Sequence, residues 1–507
     1  MGTSQICIMI SICVYLAAML VVGFICSKKN NTADDFYLGG RKLGPIVTAM
    51  SAEASDMSSW LLMGLPGVAY LSGICDAGWT AIGLALGTYV NWLIVAKRIR
   101  RYSHISNNAI TIPDFFSNRY RDSSNIIMII SALVILIFFV PYTASGFAAC
   151  GKLFSSLFGV NYLTAMIISA VIIVGYTALG GFLAASTTDL IQSIVMTIAL
   201  IIGISVAGGF DAVIDNAKNL PGYFSMNAMY DVASGTAKEY GFITKLSTLA
   251  WGLGYFGMPH ILLRFMAIED HKKLALSRRI ATVWVVISLA IAIFIGVVGL
   301  AMSNAGAVET LEGSASETII VRISALLSSK GVVPALVAGV ILAGILASTM
   351  STADSQLIAA SSAVSKNLFG VLKINSDAKS TMKTARATLL IIAVIAAFIA
   401  RNPDSSVFGI VSFAWAGFGA AFGPVVLFAL FWRRSNRYGA IAGMLSGGAM
   451  VFIWKYLIKP MGGLWGIYEL LPAFIVSSLA IVIVSLLTKA PSKEITDEFD
   501  MVKNLKD

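Results

Sequence analysis

The stretch Met50–Gly67, MSAEASDMSSWLLMGLPG, places two acids, Glu53 and Asp56, within one helical turn of each other inside an otherwise apolar run. A run of serines follows, and then Gly64, Pro66 and Gly67. Ionisable groups at membrane depth are costly and mark functional positions. Acids beside helix-breaking residues predict a discontinuous helix, whose unwound carbonyls and side-chain oxygens suit a hard cation. The plainer alternative is a helix whose acids face a water-filled vestibule or lie at its end.

The rest of the chain supplies the apolar setting that this reading needs. Of 507 residues, 57% are hydrophobic and 12% charged, about half the charge of an ordinary soluble surface. Mean hydropathy is +0.83. Apolar runs such as 126–140 and 389–400 are continuous rather than amphipathic, and about 20 such residues cross a hydrocarbon core. The expected fold is therefore an all-α polytopic membrane protein. Thirteen transmembrane helices are predicted, at 5–26, 46–73, 76–96, 124–152, 160–179, 187–208, 240–262, 277–302, 332–362, 385–401, 405–431, 437–457 and 465–488. The first run lacks a basic n-region and a small-residue cleavage site, so it reads as a retained helix and not a cleaved signal.

An odd number of spans puts the termini on opposite sides, and the loop charges choose between them. With the N-terminus outside, 27 of the 36 basic residues fall inside, in clusters such as Lys97–Arg101, Lys272–Arg279 and Arg433–Arg437. That is the positive-inside bias, and it accounts for the net charge of +10 without nucleic acid. Loops 209–239 and 303–331 are acidic and lie outside; the tail 489–507 is short, charged and expected to be mobile. The chain reads as one transmembrane domain with no separate soluble unit. Cys7, Cys13, Cys26, Cys75 and Cys150 lack metal-ligand spacing and read as small core residues. His104, His260 and His271 form no triad or metal pattern, so neither an enzyme nor a cofactor is expected.

Two further stretches carry chemistry. Trp251–His260, WGLGYFGMPH, packs three glycines, a proline and three aromatics into ten residues of span 7, predicting a second broken helix beside a ring-lined pocket or, alternatively, an interfacial aromatic belt. In LASTMSTADSQ (346–356), Ser348, Ser351, Thr352 and Ser355 recur at i, i+3, i+4 and i+7 on one helical face. These hydroxyls suit a sodium ion equally with simple interhelical hydrogen bonds. Asp354 points about 100° away from the middle of the stripe. The breaks in spans 2 and 7 are five helices apart and so cross in opposite directions. This predicts inverted five-helix repeats, spans 2–6 (46–208) and 7–11 (240–431), with an extra N-terminal helix (5–26) and two extra C-terminal ones (437–488).

YLGGRKLGP (37–45), SDMSSWLLMGLPG (55–67), GGFLAA (180–185) followed by Asp189, WGLGYFGMPHIL with Arg264, MST (350–352) and SFAWAGFGAAFGPVVLF (412–428) together resemble the solute:sodium symporter family over nearly the whole chain. The resemblance implies a secondary active transporter that takes up L-proline with Na+ by alternating access, in a bacterial cytoplasmic membrane and sufficient as a monomer; another small carboxylate or amino acid is the alternative solute. It implies sodium ligands at the carbonyls of Ala54, Met57 and Ser348 and the hydroxyls of Ser351 and Thr352. Asp56 would act near the coupling site and Asp189 along the inner ion path. The solute pocket would comprise Ser58, Trp60, Tyr142, Trp251, Tyr255 and Pro259. Three residues depart from the family pattern: Ser348 stands for an alanine, Ser59 for a glycine, and Glu53 for a small residue. Glu53 is expected to be exposed and solvated, the alternative being a buried Glu53 that contributes a proton to coupling.

Overall fold

The computed structural model describes residues 2–27, 37–175, 217–371 and 378–505, with scattered positions between 177 and 215 that include Asp189. Eight helices among these residues are long and apolar enough to cross a membrane, from Thr3–Val22 to Leu470–Leu487. Their outward faces are suited to lipid. On the helix Ala378–Ile399, Ile391, Val394, Ile395 and Phe398 are exposed, while Leu389, Ile392 and Ala396 are buried. An apolar stripe at i, i+3, i+4 and i+7 pointing outward inverts the pattern of a soluble helix; the chain is a multi-span membrane protein. Most of predicted span 6, 187–208, lies outside the described residues.

Span 2 is discontinuous as predicted, but the break lies elsewhere than the glycines and proline suggested. The helix Pro45–Asp56 ends at Met57, whose ψ of 72° leaves the helical region. A wide π-turn, Trp60–Gly64, resumes the path and passes into Leu65–Ser72. Pro66 falls at the start of that last segment, where a missing N–H is tolerated. Gly67 is helical, and the backbone of Glu317 packs against it, 2.9 Å from where a Cβ would stand. Span 7 breaks where expected: Phe242–Leu249 tightens into the 3-10 turns Ala250–Gly257, Met258 is extended, and Pro259–Ala267 restarts the helix. Span 9 is the unbroken helix Val332–Ser362.

Glycine lets spans 3 and 7 touch. A Cβ on Gly87 would run into the backbone of Gly252, and one on Gly252 into the carbonyl of Gly83, which is close small-residue packing of the membrane kind.

One expectation is corrected, that of a mobile tail, and two loops carry structure of their own. Within the all-α fold, loop 209–239 carries one antiparallel hairpin, Ala228–Asp231 with Thr236–Glu239. In loop 303–331, Glu317 is buried. It pairs with Lys152 at 2.8 Å and accepts the backbone N–H groups of Val407 and Phe408 at 3.0 Å each, neutralising the N-terminal end of the helix Val407–Phe431. The tail is ordered as the helix Lys493–Asn504. It docks through buried Phe499 and Val502, with Arg98 and Arg119 over the Phe499 ring and Arg121 bonded to Glu498 at 2.5 Å. The apolar face at 499 and 502 supplies the burial that a merely charged tail would lack.

Candidate functional site

The break in span 2 diverts backbone donors in a specific way. The N–H of Ser58 donates to the carbonyl of Asp56 and that of Leu61 to Ser58. The carbonyls four residues before these donors, Ala54 and Met57, are thereby released from the helix ladder. Span 9 meets the first of them. Ser351 Oγ donates to the Ala54 carbonyl at 2.7 Å and lies 3.1 Å from the Ser348 carbonyl, and Thr352 Oγ1 reaches Ala54 at 3.4 Å. The Ser348 hydroxyl turns back onto Ile345, so its carbonyl, not its hydroxyl, faces the cluster. Ala54, Ser348, Ser351 and Thr352 are thus brought together, all at most 2% exposed. Met57 contributes a released carbonyl further along the break.

Asp56 stands where the two broken helices join. Tyr255 of span 7 donates to its Oδ2 at 2.6 Å. Its backbone carbonyl accepts from Trp60 Nε1 at 3.1 Å and Tyr142 Oη at 3.2 Å. Ser58 is bonded to the Trp60 backbone, and the rings of Trp60 and Trp251 face each other at 6.3 Å. Five of the six predicted pocket residues, Ser58, Trp60, Tyr142, Trp251 and Tyr255, therefore form one connected group around Asp56. Pro259 opens the second half of span 7, and no hydrogen bond or ring contact ties it to the other five. Phe408, Trp415 and Tyr468, which sequence reading did not single out, close over the group. Trp251 stacks on Tyr468 at 4.9 Å and tilts against Phe408 at 5.2 Å, and Trp415 Nε1 bonds its carbonyl at 2.7 Å. The aromatic spacing within 412–428 was the available signal for Trp415.

Asp189 lies in a different setting. Its Oδ2 accepts from Ser51 Oγ at 2.6 Å and from Arg264 Nη2 at 3.2 Å. Arg264 also donates to Ser51, Ser355 and the His260 carbonyl at 3.0, 2.6 and 3.0 Å, with its guanidinium over the Phe182 ring at 4.8 Å. Ser355, the fourth hydroxyl of the stripe, is thus spent on Arg264 and not on the Ala54 cluster. Glu53 is corrected outright: it is 1% exposed, because the indole of Trp92 reaches it from span 3 at 2.9 Å.

Broken helices that offer released carbonyls to a hydroxyl stripe, beside a buried aromatic cluster, define an ion-coupled membrane transporter. The profile of the sodium:solute symporter family matches residues 36–447. The chain is 43% identical to the sodium/proline symporter of Escherichia coli K12 over 501 residues, covering 97% of this chain and 95% of that protein. It is 39% identical to the Staphylococcus aureus protein of the same name over 503 residues, covering 98% and 96%. The chain belongs to the sodium:solute symporter family. In fold it is similar to the substrate-bound, outward-open structure of a Na+-coupled sialic acid symporter, with a TM-score of 0.77 at 17% identity, over 96% of this chain and 99% of that one.

Proposed function

We propose that this protein takes up L-proline with Na+ by alternating access, with the N-terminus outside and the basic loops and tail in the cytoplasm of a bacterium. The observation that carries the ion site is the 2.7 Å contact between Ser351 Oγ and the released Ala54 carbonyl, which joins the broken span 2 to span 9. Sodium would sit among the carbonyls of Ala54, Met57 and Ser348 and the hydroxyls of Ser351 and Thr352. The solute would bind among Ser58, Trp60, Tyr142, Trp251, Tyr255 and Pro259. Its ring meets Trp251 and Tyr255, its ammonium meets hydroxyl and carbonyl oxygens, and its carboxylate rests on half-helix N-termini. One copy of the chain holds all of these groups, so a monomer suffices.

Sodium binding first draws spans 2 and 9 together and favours the outward-open form. Ion and solute must prefer one conformation over the other, since equal affinity for both moves nothing. Rocking of the repeats, spans 2–6 against 7–11 in a thirteen-span chain, then opens the site inward. Each Na+ carried inward gains about 2.3 kcal/mol per 100 mV of membrane potential. Proteoliposomes loaded with purified protein should accumulate radiolabelled proline only when an inward Na+ gradient is imposed. Accumulation that ignores the gradient, or that unlabelled proline fails to compete, would rule this reading out.

A further inference from the structure

Tyr468 stands just before the helix Leu470–Leu487, beyond residue 447 where the match to the family profile ends. It is nevertheless built into the aromatic cluster of spans 2 and 7. Its ring stacks on Trp251 at 4.9 Å, with the two planes 19° apart. Trp251 is buried and also faces Trp60, at 6.3 Å and 29°. The aromatics on either side of Tyr468 in sequence behave differently. Tyr456 and Trp465 are 59% and 51% exposed, as residues of an interfacial belt are. Tyr468 turns inward instead.

The inward ring is fixed at both ends. The backbone N–H of Tyr468 donates to Ser247 Oγ at 2.7 Å, and its hydroxyl donates to the Ser412 carbonyl at 2.7 Å. Ser247 precedes Trp251 by four residues, in the first half of span 7. Backbone and ring of Tyr468 thus hold the same stretch of the broken span. Its neighbours are anchored too. Glu469 is 1% exposed and bonded to Lys459 at 2.9 Å, with Lys455 at 3.8 Å. The Ile467 carbonyl accepts from Trp454 Nε1 at 3.2 Å. A ring held in this way has little freedom left to lose, so its contact with Trp251 is preorganised. Stacking also sets the angle of the partner ring, because the ring quadrupoles favour particular offsets. None of these bonds or ring contacts goes to Ala54, Ser348, Ser351 or Thr352.

We propose that Tyr468 is a positioning residue for solute binding, which holds the Trp251 indole at the angle that receives the solute ring. This rests on the assignment of Trp251 to the solute pocket above. The test is the initial rate of radiolabelled proline uptake into proteoliposomes, varying proline at saturating Na+ and Na+ at saturating proline. Tyr468→Leu removes the ring and keeps an apolar side chain. Its KM for proline should rise about two- to tenfold, the size of a lost stacking contact, with maximal rate and Na+ half-saturation within about twofold of wild type. Tyr468→Phe keeps the stack and should have a KM close to that of wild type. Trp251→Ala/Tyr468→Leu should have the KM of Trp251→Ala alone, because Tyr468 acts through Trp251. If Tyr468→Leu does not fold, Ser247→Ala frees the Tyr468 backbone and should raise the KM in the same direction. Tyr468→Leu, or Ser247→Ala in its place, with a wild-type KM and only a lower maximal rate or melting temperature would leave Tyr468 a structural role and overturn the proposal. Tyr468→Phe losing as much as Tyr468→Leu would overturn it as well, by moving the effect to the Ser412 bond. A wild-type KM in Trp251→Ala would instead overturn the pocket assignment on which it rests.

Discussion

Two of the places where the protein buries acids are solved differently. Asp189 is neutralised by Arg264, which is itself held by Ser51, Ser355 and a backbone carbonyl. Glu53 and Asp56 receive neutral donors only. The Asp189–Arg264 pair carries its own counter-charge, although Asp189 Oδ1 has no hydrogen-bond partner among the described residues. A buried pair of acids without a base must be neutralised in another way, by protons or by a cation. The first arrangement therefore fits a fixed contact between spans 2, 7 and 9 near Asp189, and the second fits a place whose charge can change with protons or ions.

Breaking the neutral arrangement should have the largest effect. Arg264→Ala leaves Asp189 as an unpaired buried charge, at a cost of about 3–5 kcal/mol. A detergent thermal-shift assay should show a large fall in melting temperature together with loss of uptake, and Arg264→Ala/Asp189→Ala should recover most of the stability. If the single variant melted like wild type, Asp189 and Arg264 would not be the neutral pair described. Asp56→Asn acts on the other arrangement. It should raise the Na+ concentration for half-maximal proline uptake by roughly tenfold or more, equivalent to about 1.4 kcal/mol per factor of ten, with little change in melting. An unchanged sodium dependence would remove Asp56 from coupling.

Thr352→Ala sharpens the boundary between ion and solute. It should weaken Na+ severalfold and leave proline affinity at saturating Na+ almost unchanged; the reverse ranking would move Thr352 into the solute pocket. The smallest effect on transport is expected far from both acids. Phe499→Ala removes the ring under Arg98 and Arg119 and should loosen the tail, seen as faster proteolysis of the C-terminus. The sodium dependence of uptake should stay as in wild type.

Both breaks and the hydroxyl stripe were legible because each is written in consecutive residues. Glycines, proline and adjacent acids disrupt a helix locally, and hydroxyls at i, i+3 and i+4 share a face whatever surrounds them. The exact point of the break in span 2 was less legible. Pro66 is absorbed by a π-turn and Gly67 by a packed loop, so the unwinding falls at Met57–Ser59 instead. Glu53 misled for a related reason. Nothing in MSAEASD says that an indole 39 residues later will cover it. The charged tail reads as solvated until the basic loops that receive Phe499 and Glu498 are folded beside it.

Residence in the membrane and the candidate oxygen ligands of span 9 were determined by the sequence itself. Transfer of apolar side chains into lipid is close to additive along the chain, and helical periodicity is local. Which buried acid has a base and which has neutral donors only was decided by the tertiary structure. Arg264 is 75 residues from Asp189 and Tyr255 is 199 from Asp56. Charge compensation depends on distances of a few ångströms between groups that the chain keeps far apart until the helices pack.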